Sequence, residues 1–304
     1  MRELSTYSRI TFWSLNSERF VLTREGQGAI IQIKNREREG PPIKKITIVN
    51  KKGGVAKTTT ARNMATVLAE TYGKKVLLID LDSSGNLSDS FHCRPDDGCL
   101  TGVSAILRDK NEDPHDHIFE TGVDGIHIMP SNSTLKPTET AIRLDTVSPQ
   151  QFKLMSQLKK VESEYDYCIM DCPPSEDIIV INALATSSEV IIPSTINQDS
   201  MTAIIQTYKI VSEVQDYNPM LSIRGVLLTR IQRNNVDREG ITVDFGIPKF
   251  KTYIRSAVDV ERSRFQCQSI REYRKDCPAA IDYDNFVAEY LGLPPAHPEK
   301  SYDL

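Results

Sequence analysis

A run of glycines, lysines and threonines between a short strand and a helix constrains this chain more than any other feature. Ile43–Asn50 is apolar and rich in β-branched residues. It leads into Lys51-Lys52-Gly53-Gly54-Val55-Ala56-Lys57-Thr58-Thr59-Thr60. A helical pattern follows over Thr58–Tyr72, with Met64, Val67 and Leu68 on its apolar face and Gly73 as its stop signal. Strand, glycine loop and helix in that order build a cradle for a phosphate chain. Glycines let backbone N–H groups converge on phosphate oxygens, and the helix N-terminus adds partial positive charge. The expected nucleotide-binding residues are therefore Lys52, Gly53, Gly54, Val55, Ala56, Lys57, Thr58 and Thr59. In such a loop the lysine at position 57 reaches the β- and γ-phosphates, and the Thr58 hydroxyl binds Mg2+. ATP and Mg2+ are the expected cofactors. The ordinary spacing G-x-x-x-x-G-K-[ST] fails, because Lys51 and Ala56 stand at its two glycine positions. The deviant spacing K-G-G-x-x-K-[ST] fits throughout. A plain Lys/Gly turn is the bland alternative, and the strand and helix on either side argue against it.

The rest of the chain alternates strand-sized and helix-sized patterns. Lys75–Asp80, Gly125–Pro130, Tyr167–Asp171, Glu189–Pro193 and Ile223–Thr229 read as buried strands. Ser148-Pro149 reads as an N-cap and an N1 proline, opening a helix to about Glu164. Strands separated by helices predict an α/β fold: a mostly parallel, doubly wound sheet of about seven or eight strands with helices on both faces. In such sheets the carboxyl ends of the strands face the ligand crevice. Three acids stand at those ends. Asp80 and Asp82 close the strand Val76-Leu-Leu-Ile-Asp80-Leu-Asp82, and Asp171 closes Tyr167-Cys-Ile-Met-Asp171-Cys172-Pro173-Pro174. Asp82 is placed to orient an attacking water, Asp80 to support the metal shell and Asp171 to hold a metal-bound water, with Thr58 as the hydroxyl ligand. The catalytic set is then Lys52, Lys57 and Asp82. Surface acids after a strand are the bland reading. Ile128-Met-Pro130-Ser131-Asn132 reads as a structural strand-end turn.

The 304 residues suit one α/β domain with extensions, and the net charge of −4 confines any nucleic-acid surface to a local patch. Such a patch is visible between Arg230 and Lys275, where eleven Lys/Arg face six Asp/Glu. A solvated basic face is the plainer reading of it. The six cysteines form no C-x-x-C pair, and neither a signal peptide nor an apolar run of membrane-spanning length is present, which predicts a cytoplasmic protein. Residues 1–42 read as an extension of uncertain order, able to pair as a hairpin through Arg19–Thr23 and Ala29–Ile33. A misassigned start is another reading of them. The ATPase domain is expected over 43–291 and a polar, proline-containing tail over 292–304.

Lys52-Gly-Gly-Val-Ala-Lys57-Thr-Thr-Thr60, Asp80-Leu-Asp82-Ser-Ser-Gly-Asn86-Leu-Ser88 and Asp171-Cys-Pro-Pro174 together resemble the ParA/MinD family of deviant Walker A ATPases, within the SIMIBI-like P-loop NTPases. The resemblance runs from Ile43 to about Leu291 and is nearest to the compact ParA/Soj branch. It implies that Lys52 is the signature lysine that reaches the partner protomer's ATP in a homodimer. It further implies non-specific duplex DNA as a ligand of the ATP dimer, a centromere-binding ParB-like partner that stimulates hydrolysis, and a nucleoid-associated location. Arg233, Arg255 and Arg262 are the expected DNA-binding residues. Two departures stand out: Ala56 replaces the usual glycine, and Asp259 occupies a position where Soj-like proteins carry a DNA-binding arginine. Three other functions share the motif. A membrane-bound MinD-like ATPase needs a basic amphipathic C-terminal helix, which Leu291–Leu304 with its three prolines does not provide. An iron–sulfur reductase needs two suitably placed cysteines. A mobile-element ATPase acting in regulation or conjugation is not separable by sequence.

Overall fold

Buried apolar strands with β-branched side chains meet in one sheet because each needs cover on both faces. The structure, a computed structural model, describes residues 42–232 and 234–298, together with the backbone of three strands nearer the N-terminus. Those three are β1 (Phe12–Leu15), β2 (Glu18–Glu25) and β3 (Gly28–Lys34), an antiparallel meander in the order β1-β2-β3. Thr23 pairs with Ile30, so the expected hairpin is present, lengthened and joined by a third strand. The chain divides into two units between Pro42 and Ile43.

The second unit alternates strand and helix. Its strands are β4 (Lys44–Ile48), β5 (Val76–Asp80), β6 (Phe119–Glu120), β7 (Ile126–Met129), β8 (Tyr167–Asp171), β9 (Glu189–Ser194) and β10 (Ser222–Leu228). Its α-helices are α1 (Lys57–Tyr72), α2 (Asn86–Ser90), α3 (Val103–Arg108), α4 (Leu135–Leu144), α5 (Lys153–Leu158) and α6 (Ile178–Thr186), then α7 (Gln198–Gln215), α8 (Asn235–Thr242), α9 (Val258–Phe265), α10 (Ile270–Arg274) and α11 (Pro278–Tyr290). The strands lie in the order β10-β9-β4-β8-β5-β7-β6, parallel except for the antiparallel β6–β7 pair. The seven-stranded, doubly wound sheet is the expected one, with β4 inside it between β9 and β8.

Alternation along β5 divides the core. Leu77 and Ile79 face one hydrophobic layer with Met170, Val190 and Ile192. Val76 and Leu78 face the other, with Met64, Leu68 and Phe286. Each fully buried Leu or Ile contributes about 1.5–3 kcal/mol. Register then sets the position of the site. Ile48 pairs with Asp171 and Asp80 pairs with Asp171, so the carboxyl ends of β4, β5 and β8 emerge together at one edge of the sheet. Helix α1 stops where Gly73 turns left-handed, its N–H reaching Ala69 O while Lys74 N reaches Leu68 O, both at 3.0 Å.

The helix expected over Ser148–Glu164 is broken. Asp145 accepts from Val147 N and Ser148 N, and the Ser148 hydroxyl is spent on the same carboxylate. Pro149 is consequently extended, a 3-10 turn spans Gln150–Phe152, and the α-helical part is only α5. At the far end, His297 Nε2 meets Asp284 Oδ2 at 2.9 Å, so the described part of the tail packs on α11. Among the described residues, no helix is long and apolar enough to cross a membrane.

Candidate active site

The loop between β4 and α1 is pinned from three sides. Asn50 donates to Pro193 O at 2.8 Å and accepts from Lys52 N at 2.9 Å. The Thr229 hydroxyl donates to Val55 O at 3.1 Å, and Arg230 Nη1 donates to Gly54 O at 3.0 Å. The last two residues follow β10, so the end of a distant strand braces the loop. Gly54 needs its glycine, with φ +74°. Ala56 adopts the same left-handed region at φ 66° despite its Cβ, and its carbonyl accepts Thr60 N at 2.9 Å to start α1. An L-residue held there is strained. Ala56→Gly should therefore raise the stability of the nucleotide-free protein by about 0.5–1 kcal/mol, read from denaturant melts. A loss of stability would contradict the strain assigned to Ala56.

Lys57 is only 8% exposed. Its ammonium donates to Asn50 O at 3.1 Å and Lys52 O at 3.2 Å. Burial lowers its pKa, and the Asp171 carboxylate opposes that. A cation desolvated in this way attracts a phosphate strongly. The Thr58 hydroxyl donates to Asp171 Oδ2 at 2.6 Å. The other oxygen, Asp171 Oδ1, is buried with no hydrogen-bond partner. Burial first, and then the neighbouring Asp80 charge, push the Asp171 pKa well above the carboxylate range. A buried carboxylate with one oxygen unsatisfied beside a hydroxyl fits a hydrated divalent cation, since both supply hard oxygen donors.

Asp80 is placed differently from its expected role in the metal shell. Its Oδ2 accepts Ser88 N at 2.9 Å and Ser88 Oγ at 2.7 Å, and its Oδ1 accepts Asp82 N at 3.1 Å. Burial raises its pKa to about 6 against those bonds. Asp80 thus braces the turn that presents Asp82. Asp82 itself is half-buried, lines the cleft and accepts Ser84 N at 2.9 Å. The cleft has a volume of about 300 Å³, and Lys57, Thr58, Asp82 and Pro174 line its phosphate end. Lys52 does not line it. Its ammonium instead meets Asn197 Oδ1 at 2.5 Å and Ser200 Oγ at 3.2 Å at the start of α7. Gly53 is exposed, and a Cβ there would meet nothing within 4 Å.

The three arginines expected on the DNA face part company. Arg255 lies on the cleft wall, paired through Nε and Nη2 with the fully buried Asp282, with the closest contact at 2.7 Å. It holds the cleft wall to α11. Arg262 is exposed on α9, 3.9 Å from Asp259. Arg233 lies outside the described residues. Asp259 is largely covered and also meets Arg274 at 3.4 Å, so this acid is matched by two arginines. Cys172 is fully buried and burial pushes its thiol pKa up, which sets it apart from an exposed cluster ligand.

The family model described as "AAA domain" matches residues 43–223. The Bacillus subtilis sporulation initiation inhibitor protein Soj is 37% identical over 215 residues, covering 70% of this chain and 81% of Soj. The Caulobacter vibrioides chromosome partitioning protein ParA is 31% identical over 258 residues, covering 82% of this chain and 94% of that one. The chain belongs to the ParA/MinD family of partition ATPases. A Borrelia burgdorferi plasmid partition protein, solved with AMPPNP, superposes on this ATPase with a TM-score of 0.66 at 26% identity, covering 82% and 98% of the two chains. ATP hydrolysis is accordingly the activity of the P-loop site.

Arg230 and the wall formed by Ile254, Ser256, Ala257 and Val260 also line the ATPase cleft, and sequence reading missed them. Arg230 entered only as one charge in a basic stretch. Its signal was its position just past the carboxyl end of a parallel strand. Tyr283 on α11 is a further cleft residue without a local sequence signal. Its hydroxyl meets Thr60 Oγ1 at 3.1 Å, joining α11 to the helix that follows the phosphate loop.

Proposed function

We propose that this ATPase is a nucleotide-switched homodimer of plasmid or chromosome partition. It binds duplex DNA without sequence preference in its ATP state, and a centromere-bound ParB-like partner stimulates hydrolysis. The observation that carries this reading is the separation of its two loop lysines. Lys57 is buried in the cleft, while the Lys52 ammonium lies outside the cleft lining on an exposed hydrogen bond to Asn197. The Asn197 bond and the longer one to Ser200 each contribute about 0.5–1.5 kcal/mol net, so Lys52 can leave both for the charge-assisted contacts of a second protomer's phosphates. The open surface at Gly53 leaves room for that approach. Gly53, Gly54, Val55, Ala56, Lys57, Thr58 and Thr59 would wrap the phosphates of the chain's own ATP. Mg2+, when bound, supplies countercharge to the β- and γ-phosphates. Thr58 and Asp171 would hold it with its waters. Asp82 would orient the attacking water, positioned by Asp80.

The same reading places this ATPase in the cytoplasm, on the nucleoid. Its DNA face would centre on α9 and α10, where Arg262, Arg264 and Arg274 are exposed and each lies near an acid. Phosphates can displace such exposed pairs, because each pair contributes only about 0–1 kcal/mol. One monomer offers few such contacts, and a dimer doubles them on one body.

Fluorescence anisotropy on random duplex tests the proposal. Binding should require ATP and weaken steeply with salt, with a log–log slope of about −0.9 per phosphate contacted. Arg262→Glu with Arg274→Glu should abolish it at moderate salt and leave ATP-dependent dimerisation intact. Equal binding with ADP, or none at low salt from a proven dimer, would favour an ATPase of a mobile element acting in regulation or conjugation.

A further inference from the structure

Position 51 carries a lysine where ordinary phosphate loops carry their first glycine. That lysine has a partner across the site. Lys51 Nζ forms an ion pair with the carboxylate of Glu176, in the loop that follows β8. A glycine at position 51 could form no such bond. Among the described residues, Glu176 is the carboxylate partner Lys51 has.

The loop that Glu176 belongs to is braced elsewhere but not at its tip. Cys172 N donates to Ile48 O at 3.2 Å, which fixes its start beside β4. Pro173 and Pro174 restrict the backbone that follows, and Pro174 lines the nucleotide cleft. The Ser175 hydroxyl donates to Asp177 Oδ2 at 2.5 Å, and Asp177 caps α6 through Ile179 N at 3.1 Å and Val180 N at 3.2 Å. Between these anchors, Glu176 ties the loop to the phosphate loop directly. Both partners are about a third exposed, so water screens the pair and its share of folding stability is small. Its effect lies in geometry: it fixes the separation between the loop of Lys52 and Lys57 and the loop that carries Pro174 away from Asp171.

We propose that Lys51 and Glu176 are a positioning pair for ATP hydrolysis, holding the Pro173–Asp177 loop against the phosphate loop so that the Asp171 end of the cleft stays closed on the terminal phosphate. This inference rests on the phosphate-side roles given above to Asp82 and Asp171. Neither Lys51 nor Glu176 touches the reacting atoms. They act through the loops they join, and small displacements of catalytic groups are costly to rate.

The test uses the full chain with Lys51→Glu, Glu176→Lys, the combined swap, and the neutral Glu176→Gln. Phosphate release gives kcat and KM. Thermal melting, and dimer formation with a non-hydrolysable ATP analogue, report on fold and assembly. Each single variant should lose about tenfold in kcat, with KM, melting and dimer formation little changed. The swap should recover most of the loss. Single variants turning over like the parent, a swap no better than the singles, or a fall confined to dimer formation would overturn the pair's role. Asp82→Ala in the same assay reports separately on the site: full turnover there would overturn the site reading. Turnover lost there but untouched in the Lys51 and Glu176 variants would overturn only the pair.

Discussion

Lys57→Ala should lose ATP binding, whereas Asp82→Ala should keep binding and lose turnover. The two side chains line one cleft, yet they differ in kind. Lys57 is a buried ammonium whose own partners are two backbone carbonyls, Asn50 O and Lys52 O. Those dipoles repay only part of its desolvation, and a phosphate repays the rest. A charge-assisted contact of this type supplies about 1.5–3 kcal/mol, so its loss should raise the Kd for ATP about 10–150-fold. Asp82 carries negative charge and lies beyond the loop, so it gives the triphosphate no countercharge. Its contribution comes when a water must be oriented, and loss of a general base costs about 10²–10⁴ in rate. Calorimetry with an ATP analogue and phosphate release under single-turnover conditions separate the two effects. Equal loss of binding in both variants would reject the role given to Asp82.

Much of this site is legible in sequence because its signals are local. The phosphate loop is one continuous run between a strand and a helix, and Asp80, Asp82 and Asp171 each end an apolar strand. Parallel register then brings those ends together without further information. Contacts between distant segments escape a linear reading. Arg255 looks like any basic residue until Asp282, on α11, takes its guanidinium. Arg230 reaches Gly54 O from a strand end far along the chain. Asp80 resembles a metal ligand until Ser88 and the Asp82 N–H occupy both of its oxygens. The Ser148–Glu164 helix fails for a local reason. Asp145 gathers Val147 N, Ser148 N and the Ser148 hydroxyl into a turn of its own, so Ser148 does not cap a helix and the turn that follows Pro149 has no side-chain cap. The basic count between Arg230 and Lys275 marks a surface but not its acid partners, and Asp259 reads as a lone obstacle until Arg262 and Arg274 are seen to flank it.

Lys52 carries the central claim, because it separates a dimerising switch from an ATPase that works alone. In the chain described here its ammonium is held by Asn197 and Ser200, with Asp199 at 4.0 Å. It contributes nothing to the lining of its own cleft. Lys52→Ala should therefore bind ATP with near-parental affinity, since Lys57 and the loop N–H groups are untouched. It should fail to dimerise, because two triphosphates brought face to face lose the cation that offsets their repulsion. Basal turnover should fall with the dimer. A cation delivered in trans supplies about 10³–10⁵ in the most developed cases, and a lysine would supply part of that. The most direct measurement is the molar mass by light scattering of the parent and of Lys52→Ala, each saturated with a slowly hydrolysed ATP analogue. The account predicts a dimer for the parent and a monomer for the variant. A dimer of normal stability from Lys52→Ala would contradict it.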